Sequence, residues 1–392
     1  MIPVEEALAR ILSLAEPVPA ETVELASAAG RVLARPAVAA RAQPPFPASA
    51  MDGYAIAGEA MPGARFRVIG ESRAGRRFSG PVGADDAVRI FTGAPVPEGA
   101  TRIVIQEDAD REGDTITLRD GLDRADYVRP AGSDFAAGFT LAAPRRLRPA
   151  DLALLAAMDL PRVQVARRPE VALIATGDEI VMPGCGPGPD QITASNVFAL
   201  KAMAEAEGAQ VRMLPVARDD AAVLADVLRL AEGADVVVTV GGASVGSHDL
   251  VGAATAGDRA FWKIAMRPGK PLMAGRLGRA VHLGLPGNPV SAIVCGHLFL
   301  LPLLRALQGL SDPVPEPRAG ILARDLPANG PRAHYMRARL VPGHPAPRLD
   351  PFEDQDSSRL VVLSEAQALL IRPVRDPARK AGDPVRWIPL AD

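Results

Sequence analysis

The sequence VALIATGDE at residues 171–179 and two later stretches of the same design decide the fold. VVVTVGGASVGSHD occupies residues 236–249, and VHLGLPGNPVS occupies residues 281–291. In each stretch, apolar and β-branched residues predict a buried strand, and glycines then predict a tight turn before helix-forming sequence resumes. Ligands of an open parallel sheet bind beyond the carboxyl ends of its strands. We therefore expect these three glycine loops to face one crevice, where backbone N–H groups suit anions and carboxylates suit a cation.

The sequence around these loops alternates strand and helix patterns. Between residues 171 and 307 this alternation indicates a parallel sheet that is covered on both faces. Residues 66–128 instead contain short strand patterns and turns, which are typical of a small all-β domain. Helical spacing of apolar residues appears at 4–14 and 147–158, and segment 311–320 predicts a linker before a small C-terminal β domain. The predicted fold class is therefore α/β with several domains.

Composition excludes several classes of protein. The chain has 392 residues, is 48% hydrophobic and carries a net charge of −2, so it can form sizeable cores but lacks the basic surface of a nucleic-acid-binding protein. Cys185 and Cys295 are far apart in sequence, which argues against a disulfide framework or a thiolate metal site and fits a reducing compartment. We find no signal-peptide pattern and no uninterrupted apolar stretch of about 18 residues, the length of a membrane span. We expect a cytoplasmic protein with neither nucleic acid nor membrane as partner.

Acidic residues close the first two glycine loops. Glu179 lies just past the first strand and Asp249 ends the second loop, so both are candidate ligands of Mg²⁺ or another divalent cation, which takes few protein oxygens and adds substrate phosphates. Asp178 has an alternative role as a helix N-cap, and the second loop has the alternative of a flexible turn. The phosphate-binding candidates of the second loop are Gly241, Gly242, Ser244 and Gly246.

The third loop opens a long apolar helix. Asn288 suits the cap and Pro289 suits the first turn, and the exposed N-terminus adds anion binding. Pro286, Asn288 and Pro289 are therefore candidate binding residues. In VARDD, after another strand, two alternatives stay open: Asp219 joins the site, or Asp220 only caps the next helix.

The segment FWKIAMRPGKP, residues 261–271, is predicted to form a strand and then a turn. In a strand, Lys263, Ala265 and Arg267 share one face, and two adjacent cations are costly unless an anion lies between them. Lys270 follows in the turn. The alternative is a solvated edge strand that binds nothing.

A series of short stretches, in order along nearly the whole chain, resembles the molybdopterin molybdenumtransferase family, which includes the gephyrin E domain. The stretches are PPFPASAMDGYAI, FTGAPVPEGA, VIQED, VRPAGSDF, ATGDEI, ITASN, PVARDD, GGASVGSHD, FWKIAMRPGKP and LPGNPVSA. The resemblance implies the reaction of that family, in which molybdate is inserted into adenylylated molybdopterin and AMP is released with the help of a divalent cation. The product is molybdenum cofactor, and the resemblance also implies a homodimer.

The same resemblance implies a chain of four domains. Residues 1–43 together with 134–167 would form an elongated helical domain that dimerises. Residues 44–133 would form an inserted β domain. An αβα domain that binds molybdopterin and nucleotide would span residues 168–310, and a C-terminal β domain would span 311–392.

Matched residue by residue, the resemblance assigns further roles. Asp52 and Thr92, which from the residues alone are ordinary turn residues, would complete the site of the other subunit. Asp134 matches the acid that follows the RxxG sequence of the family. The remaining matches are the metal–phosphate acids Glu179 and Asp249, the anion-facing Lys263 and Lys270, and the molybdate-binding positions Arg337 and Ser357.

The chain also departs from the family pattern. Ala194 replaces an acid, Arg267 replaces a lysine, and Ser133 replaces a glutamate. Further departures near the C-terminus are Ser358, Val362, Gln367 and Ala368. These departures leave open the alternative that the chain is a non-catalytic paralogue that binds or delivers the finished cofactor. A second alternative is the preceding molybdopterin adenylyltransferase, which resembles the αβα domain alone. That adenylyltransferase and the molybdoenzymes that receive the cofactor are the protein partners that this interpretation suggests.

Overall fold

The computed structural model describes residues 1–241, 259–342 and 346–390. The helices in this part of the chain are α1 (Val4–Leu12), α2 (Pro149–Ala157), α3 (Asn196–Ala206), α4 (Ala221–Leu230), α5 (Pro289–Cys295), α6 (Leu301–Leu307) and α7 (Leu360–Glu365). A π-helical stretch, Gly296–Leu300, joins α5 to α6, and short 3₁₀ turns lie at Leu25–Ser27 and Gln106–Asp108.

The strands follow the same chain order. They are β1 (Ala20–Glu24), β2 (Val32–Leu33), β3 (Ala37–Val38), β4 (Ala48–Ser49), β5 (Gly53–Ile56), β6 (Arg65–Ser72), β7 (Asp86–Ile90), β8 (Arg102–Ile105), β9 (Ala109–Glu112), β10 (Thr115–Leu118), β11 (Val128–Arg129), β12 (Thr140–Leu141), β13 (Arg145–Arg146), β14 (Arg162–Ala166), β15 (Glu170–Ala175), β16 (Ile180–Val181), β17 (Ile192–Thr193), β18 (Gln210–Met213), β19 (Val236–Val240), β20 (Arg259–Trp262), β21 (Met266–Arg267), β22 (Met273–Leu277), β23 (Ala280–Leu285), β24 (Arg318–Leu322), β25 (Ala333–Val341), β26 (Arg348–Pro351), β27 (Ala368–Arg372) and β28 (Pro384–Pro389).

The predicted parallel sheet is present. Its strands lie in the order β18-β15-β19-β23-β22-β20, and the first four of these run parallel. β22 runs antiparallel to both of its neighbours, so β20 again points the same way as β23. Every residue of β19 and β23 is buried, because helices cover both faces of the sheet. The carboxyl ends of β15, β19, β23 and β20 therefore lie at one edge.

Two apolar clusters sandwich this sheet. One contains α3 and the α5–α6 helix, and the other contains Leu224 and Val227 of α4. Helix α1 packs on the first cluster through Val4, Ala7 and Ile11 rather than with the rest of the N-terminal segment. The amphipathic pattern predicted this helix correctly, but the choice of core depends on contacts distant in sequence.

The two segments that flank the inserted β region pair with each other. β1, β14, β2 and β13 form one sheet, in which Ala20 lies opposite Ala166 and Glu24 opposite Arg162. Helix α2 packs on this sheet through the buried Leu155. Among the described residues these segments contain more strand than the expected helical domain implied. The boundaries of the four domains stay a prediction.

The two outer β regions form separate sheets. The first has the order β8-β5-β7-β6-β10-β9, and its β6 and β7 run parallel. The second has the order β21-β25-β26-β24-β28-β27, and β25 also pairs with β27, which closes a barrel. Strand β21 belongs to this second sheet, although in sequence it lies between β20 and β22, which belong to the sheet with the parallel strands. The chain thus crosses from one sheet to the other within residues 263–265.

One described helical run, Pro289–Leu307, is long and apolar enough to cross a membrane by length and composition, with a mean hydropathy of 1.9 over its most apolar window. Of that window, 72% is buried inside the protein, as expected for a core helix. Phe299 and Leu303 of this run are fully buried in the larger apolar cluster.

Candidate functional site

The described beginnings of the three glycine loops lie together at the carboxyl edge of the parallel sheet. Thr176 donates its backbone N–H to the Val240 carbonyl at 3.0 Å, and Gly241 donates to the Leu285 carbonyl at 3.1 Å. Gly241 has a φ of +98°, and a Cβ there would lie 2.6 Å from the Thr176 carbonyl oxygen. Only glycine allows this close approach of two backbones. The rest of the second loop, with Gly242, Ser244, Gly246 and Asp249, lies outside the described residues.

Glu179 lies in the first loop with an exposed side chain that turns back over the backbone. A Cβ on Gly177 would lie 2.3 Å from Glu179 Oε2, and Gly177 has a φ of +133°. The Glu179 carbonyl accepts a hydrogen bond from Ile192 at 2.8 Å, which ties the loop to the β16–β17 pair. The glycine thus gives the carboxylate room at the end of β15.

The first loop does not lead directly into a helix, and the next helix begins where the pattern NVFALKAMAEAEGA predicted it. Strands β16 and β17 intervene, and α3 begins only at Asn196. Asp178 therefore caps no helix there. Its Oδ1 accepts a hydrogen bond from the Asp219 backbone at 3.2 Å, which joins the loops after β15 and β18. Asp220 takes the capping alternative, since it accepts hydrogen bonds from Ala222 and Val223 at 2.8 and 2.9 Å.

The described part of this edge contains no group of three or more His, Cys, Asp or Glu side chains that could hold a metal. Mg²⁺ needs less than that, since it often takes one or two carboxylates, water and substrate phosphates. The exposed Glu179 carboxylate fits this description. Its expected partner Asp249 is outside the described residues, so the pair stays a prediction.

The third loop joins the C-terminal domain to the crevice. Asn288 is at the N-cap position of α5 and Pro289 is its first residue, as predicted. The Asn288 side chain does not cap the helix, but donates from Nδ2 to Ser357 Oγ at 3.0 Å. The Val290 N–H donates to the Ser357 carbonyl at 3.1 Å. Ser357 therefore lies at this helix N-terminus, close to where the resemblance places it. Buried Pro286 precedes the turn.

Sequence reasoning missed Asn196 as a member of this edge. Its Nδ2 donates to the Gly287 carbonyl at 2.7 Å and so fixes the third loop against the start of α3. The motif ITASN contains this residue. Ala194 of the same motif, where the family has an acid, is 5% exposed and packs in the larger core cluster.

Lys263 and Lys270 also lie at the carboxyl edge. Lys263 directly follows β20, and its Nζ lies 4.4 Å from the centre of the Trp262 ring. The Lys263 N–H donates to the Leu272 carbonyl at 3.0 Å, and the Ile264 N–H donates to the Lys270 carbonyl at 3.1 Å. These bonds hold the two lysine backbones side by side, with Lys263 just after β20 and Lys270 shortly before β22.

The prediction of one strand with Lys263, Ala265 and Arg267 on a shared face is wrong. Lys263 has a φ of +74°, which ends β20 at the preceding residue. Arg267 lies in β21 and pairs with His334 of β25 in the C-terminal sheet. Burial is the main cause that lowers the pKa of His334 to about 4, with neighbouring arginines, Arg267 first, acting in the same direction.

Arg337 is buried in β25, with only 1% of its surface exposed. Its guanidinium donates to the carbonyls of Arg359 and Asp354, each at 3.2 Å, and to Gln355 Oε1 at 3.4 Å. Burial lowers the pKa of Arg337, and nearby carboxylates partly offset this. Arg337 thus organises the loop that carries Ser357. A direct contact with molybdate stays a prediction.

Asp52 and Thr92 form a closed turn on the inserted β domain. Asp52 Oδ1 accepts hydrogen bonds from the Thr92 N–H and from Thr92 Oγ1, both at 2.7 Å. These two bonds, the backbone one first, lower the pKa of Asp52. Asp134 is exposed and donates its N–H to the Gln43 carbonyl at 3.0 Å. In the described ranges, no hydrogen bond or ion pair joins these three residues to the glycine loops.

Family models match the chain in three consecutive parts. The MoeA N-terminal region (domain I and II) matches residues 2–158, a probable molybdopterin binding domain matches residues 172–306, and the MoeA C-terminal region (domain IV) matches residues 319–390. Together these cover nearly the whole chain in the order that the motifs predicted.

Individual relatives agree with these matches. Molybdopterin molybdenumtransferase 2 of Mycobacterium tuberculosis is 37% identical over 89% of this chain and 90% of that protein. Molybdopterin molybdenumtransferase of Nostoc sp. is 32% identical over 94% of this chain and 88% of its own length. The crystal structure of the MoeA protein from Pyrococcus horikoshii OT3 superposes with a TM-score of 0.84 at 26% identity and covers 99% of both chains.

The chain therefore belongs to the molybdopterin molybdenumtransferase family, also called MoeA. The predicted resemblance, the mixed α/β multidomain fold and the assignment to molybdenum cofactor biosynthesis as a transferase are confirmed.

Proposed function

We propose that this protein inserts molybdate into adenylylated molybdopterin and releases AMP, in the crevice at the carboxyl edge of the parallel sheet. The observation that carries the proposal is the convergence at that edge of the glycine loops with Lys263, Lys270 and Ser357. Backbone N–H groups and lysines attract phosphates and molybdate, which are anions. In proteins with an open parallel sheet, ligands bind at this edge.

The proposed cation ligands are Glu179 and Asp249. Bound there, Mg²⁺ or another divalent cation supplies neutralising charge to the phosphates as the phosphoanhydride bond breaks. Glu179 is suited to this role because Gly177 leaves its carboxylate free space beside the loop, and because no ion pair with another described residue neutralises it. Asp178 supports the site by fixing the neighbouring loop through Asp219.

The proposed receptors for molybdate are Lys263, Lys270 and the Ser357 hydroxyl, with Arg337 holding the Ser357 loop in place. The ring of Trp262 keeps the Lys263 ammonium near the end of β20. The acceptor of molybdenum in this proposal is the dithiolene of the pterin, so no protein thiol has to take part. This agrees with Cys295, whose burial raises the pKa of its thiol.

The proposal includes a homodimer in the cytoplasm. Asp52 and Thr92 would then complete the site of the other subunit, which is consistent with their lack of hydrogen bonds to the glycine loops within the described part of one chain. Domains are proposed at residues 1–43 with 134–167, at 44–133, at 168–310 and at 311–392. An adenylyltransferase that supplies the substrate and the molybdoenzymes that receive the product are the proposed protein partners.

The test is a reaction in vitro with purified protein, adenylylated molybdopterin, molybdate and Mg²⁺. We expect release of AMP that requires molybdate. Formation of adenylylated pterin from ATP and molybdopterin would instead support an adenylyltransferase. Tight binding of finished cofactor without any AMP release would support a delivery protein.

A further inference from the structure

A short β-hairpin on the inserted β domain carries an unusual concentration of arginine. Arg73 and Arg76 pair directly across it and exchange both backbone hydrogen bonds at 2.9 Å, with Gly75 at a φ of +76° in the turn. Arg77 follows at once. Like charges directly opposite each other on a β-ladder are destabilising. We refer to Arg73, Arg76 and Arg77 as the arginine hairpin.

The charge of the arginine hairpin is only partly balanced inside the protein. Arg73 forms an ion pair with Glu71. Arg76 and Arg77 have no ion-pair partner among residues 1–241, 259–342 and 346–390. Their side chains are exposed, so solvent screens their repulsion, and they are free to receive an anion.

The hairpin is held firmly at its base. Phe78 packs against Gly70, where a Cβ would lie only 2.4 Å from its ring. The Ser72 hydroxyl donates to the Pro95 carbonyl at 2.7 Å. Because β6 and β7 run parallel and Ser72 lies opposite Ile90, the hairpin and the turn after Ile90 leave the sheet at the same edge. That turn contains Thr92, which is hydrogen-bonded to Asp52.

Aromatic rings orient several guanidinium groups of this surface. The guanidinium carbons of Arg73 and Arg89 lie 5.9 and 4.9 Å from the centre of the Phe91 ring. The guanidinium of Arg77 lies 5.7 Å from the Phe46 ring. The Arg89 guanidinium is already used inside the protein, because it donates to the Gly53 carbonyl at 3.1 Å and to Gln106 Oε1 at 2.6 Å. The ring contact of Arg77 leaves its N–H groups available for a phosphate, to which the planar fork binds through two hydrogen bonds.

We infer that the arginine hairpin binds a phosphate group of a small phosphorylated substrate held beside the Asp52–Thr92 turn. The identity of that substrate rests on the proposed function: if this turn completes the crevice of the other subunit, the hairpin receives the phosphates of adenylylated molybdopterin. A net charge of −2 for the whole chain argues for a small anion rather than nucleic acid.

The test compares two double variants of the full-length protein. In one, Arg76→Glu and Arg77→Glu reverse two charges of the hairpin. In the control, Arg65→Glu and Arg124→Glu reverse two exposed charges at the opposite edge of the same sheet, since β6 begins at Arg65 and Arg124 precedes Asp126, which bonds to the start of β8. Binding of AMP is measured by calorimetry at low and at moderate salt.

We expect the hairpin variant to bind AMP about tenfold more weakly or worse, with a shallower salt dependence, since a tenfold change corresponds to about one charge-assisted contact. The control should stay within about twofold of the wild type. The 8-residue strand β6 separates Arg65 from the hairpin, and this distance exceeds the screening length of about 8–10 Å. Arg76→Gln with Arg77→Gln should fall between the two, and this neutral pair decides the question if charge reversal prevents folding.

Equal AMP affinity in wild type and hairpin variants would overturn the inference, and so would a wild type that does not bind AMP. The proposed function is judged separately by AMP release from adenylylated molybdopterin. A wild type that binds AMP through the hairpin but releases none from that substrate would overturn the proposed function and leave the phosphate site standing.

Discussion

Replacing Arg337 by alanine tests whether this buried guanidinium holds the loop that carries Ser357. The substitution removes the donors that reach the carbonyls of Asp354 and Arg359, each at 3.2 Å. Hydrogen bonds to charged groups contribute about 1.5–3 kcal/mol each, and the length of these two places them at the lower end. We therefore expect Arg337→Ala to lower the free energy of unfolding by about 3 kcal/mol.

Arg339 provides a matched control on the same strand. Its guanidinium is about half exposed, pairs with Glu365 and lies 4.3 Å from the Phe352 ring. Exposed ion pairs contribute about 0–1 kcal/mol and exposed cation–π contacts about 0.5–1 kcal/mol, so Arg339→Ala should cost at most about 2 kcal/mol. Both variants are compared by urea unfolding, in which an unchanged slope indicates that only stability has changed.

Hydrogen exchange adds a local measurement to the same pair of variants. The Val290 amide donates to the Ser357 carbonyl, so it reports directly on the position of the loop. It should exchange faster in Arg337→Ala than in Arg339→Ala. If the two variants unfold within about 0.5 kcal/mol of each other, and Val290 keeps its protection in both, Arg337 does not position this loop.

Three further predictions concern the loops, the pH dependence and the assembly. Gly241→Ala should weaken folding by about 2 kcal/mol or more and lower AMP release, because the new Cβ would lie 2.6 Å from the Thr176 carbonyl at a φ that L residues avoid; wild-type stability and release would refute the close approach. The pKa of His334 is lowered from 6.5 to about 4, mainly by burial, so the unfolded chain binds more protons and stability falls as pH drops through that window by up to about 1.4 kcal/mol per pH unit. His334→Gln should reduce this acid sensitivity in unfolding curves at pH 7 and 5, and an unchanged pH dependence would show that His334 contributes nothing. Mixing Asp52→Ala subunits with Glu179→Ala subunits should restore part of the activity, because one site of the mixed dimer would be intact; no recovery under verified subunit exchange would contradict the shared site.

The parallel sheet and the meeting of its loops were predictable because their signals are local. Each β-branched run that ends in glycine predicts both a buried strand and the tight turn after it. In a parallel sheet, such turns lie at one edge. The helical spacing of residues 4–12 was visible for the same reason. These patterns need only a window of about 11–18 residues to be read.

The features that sequence reasoning missed depend on contacts between distant residues. The crossing from β20 to β21 depends on the positive φ of Lys263 and on pairing with β25. The bond between Asn288 and Ser357 joins two domains of the prediction, and no local pattern marks either residue as the partner of the other. Helix α1 packs on the parallel-sheet core, and its amphipathic pattern predicts the helix but not the core on which it packs.

The most direct test of the central claim is the Glu179→Gln variant with adenylylated molybdopterin and molybdate at limiting Mg²⁺. The amide keeps the size of the side chain and removes the charge that we propose holds the cation. The exposed position of Glu179 carries little packing energy, so the variant should fold as the wild type does. We predict that the substrate binds at least as tightly as to the wild type, because repulsion with its phosphates is relieved, and that it stays uncleaved. AMP release at the wild-type rate would contradict a cation-dependent reaction at this edge of the sheet.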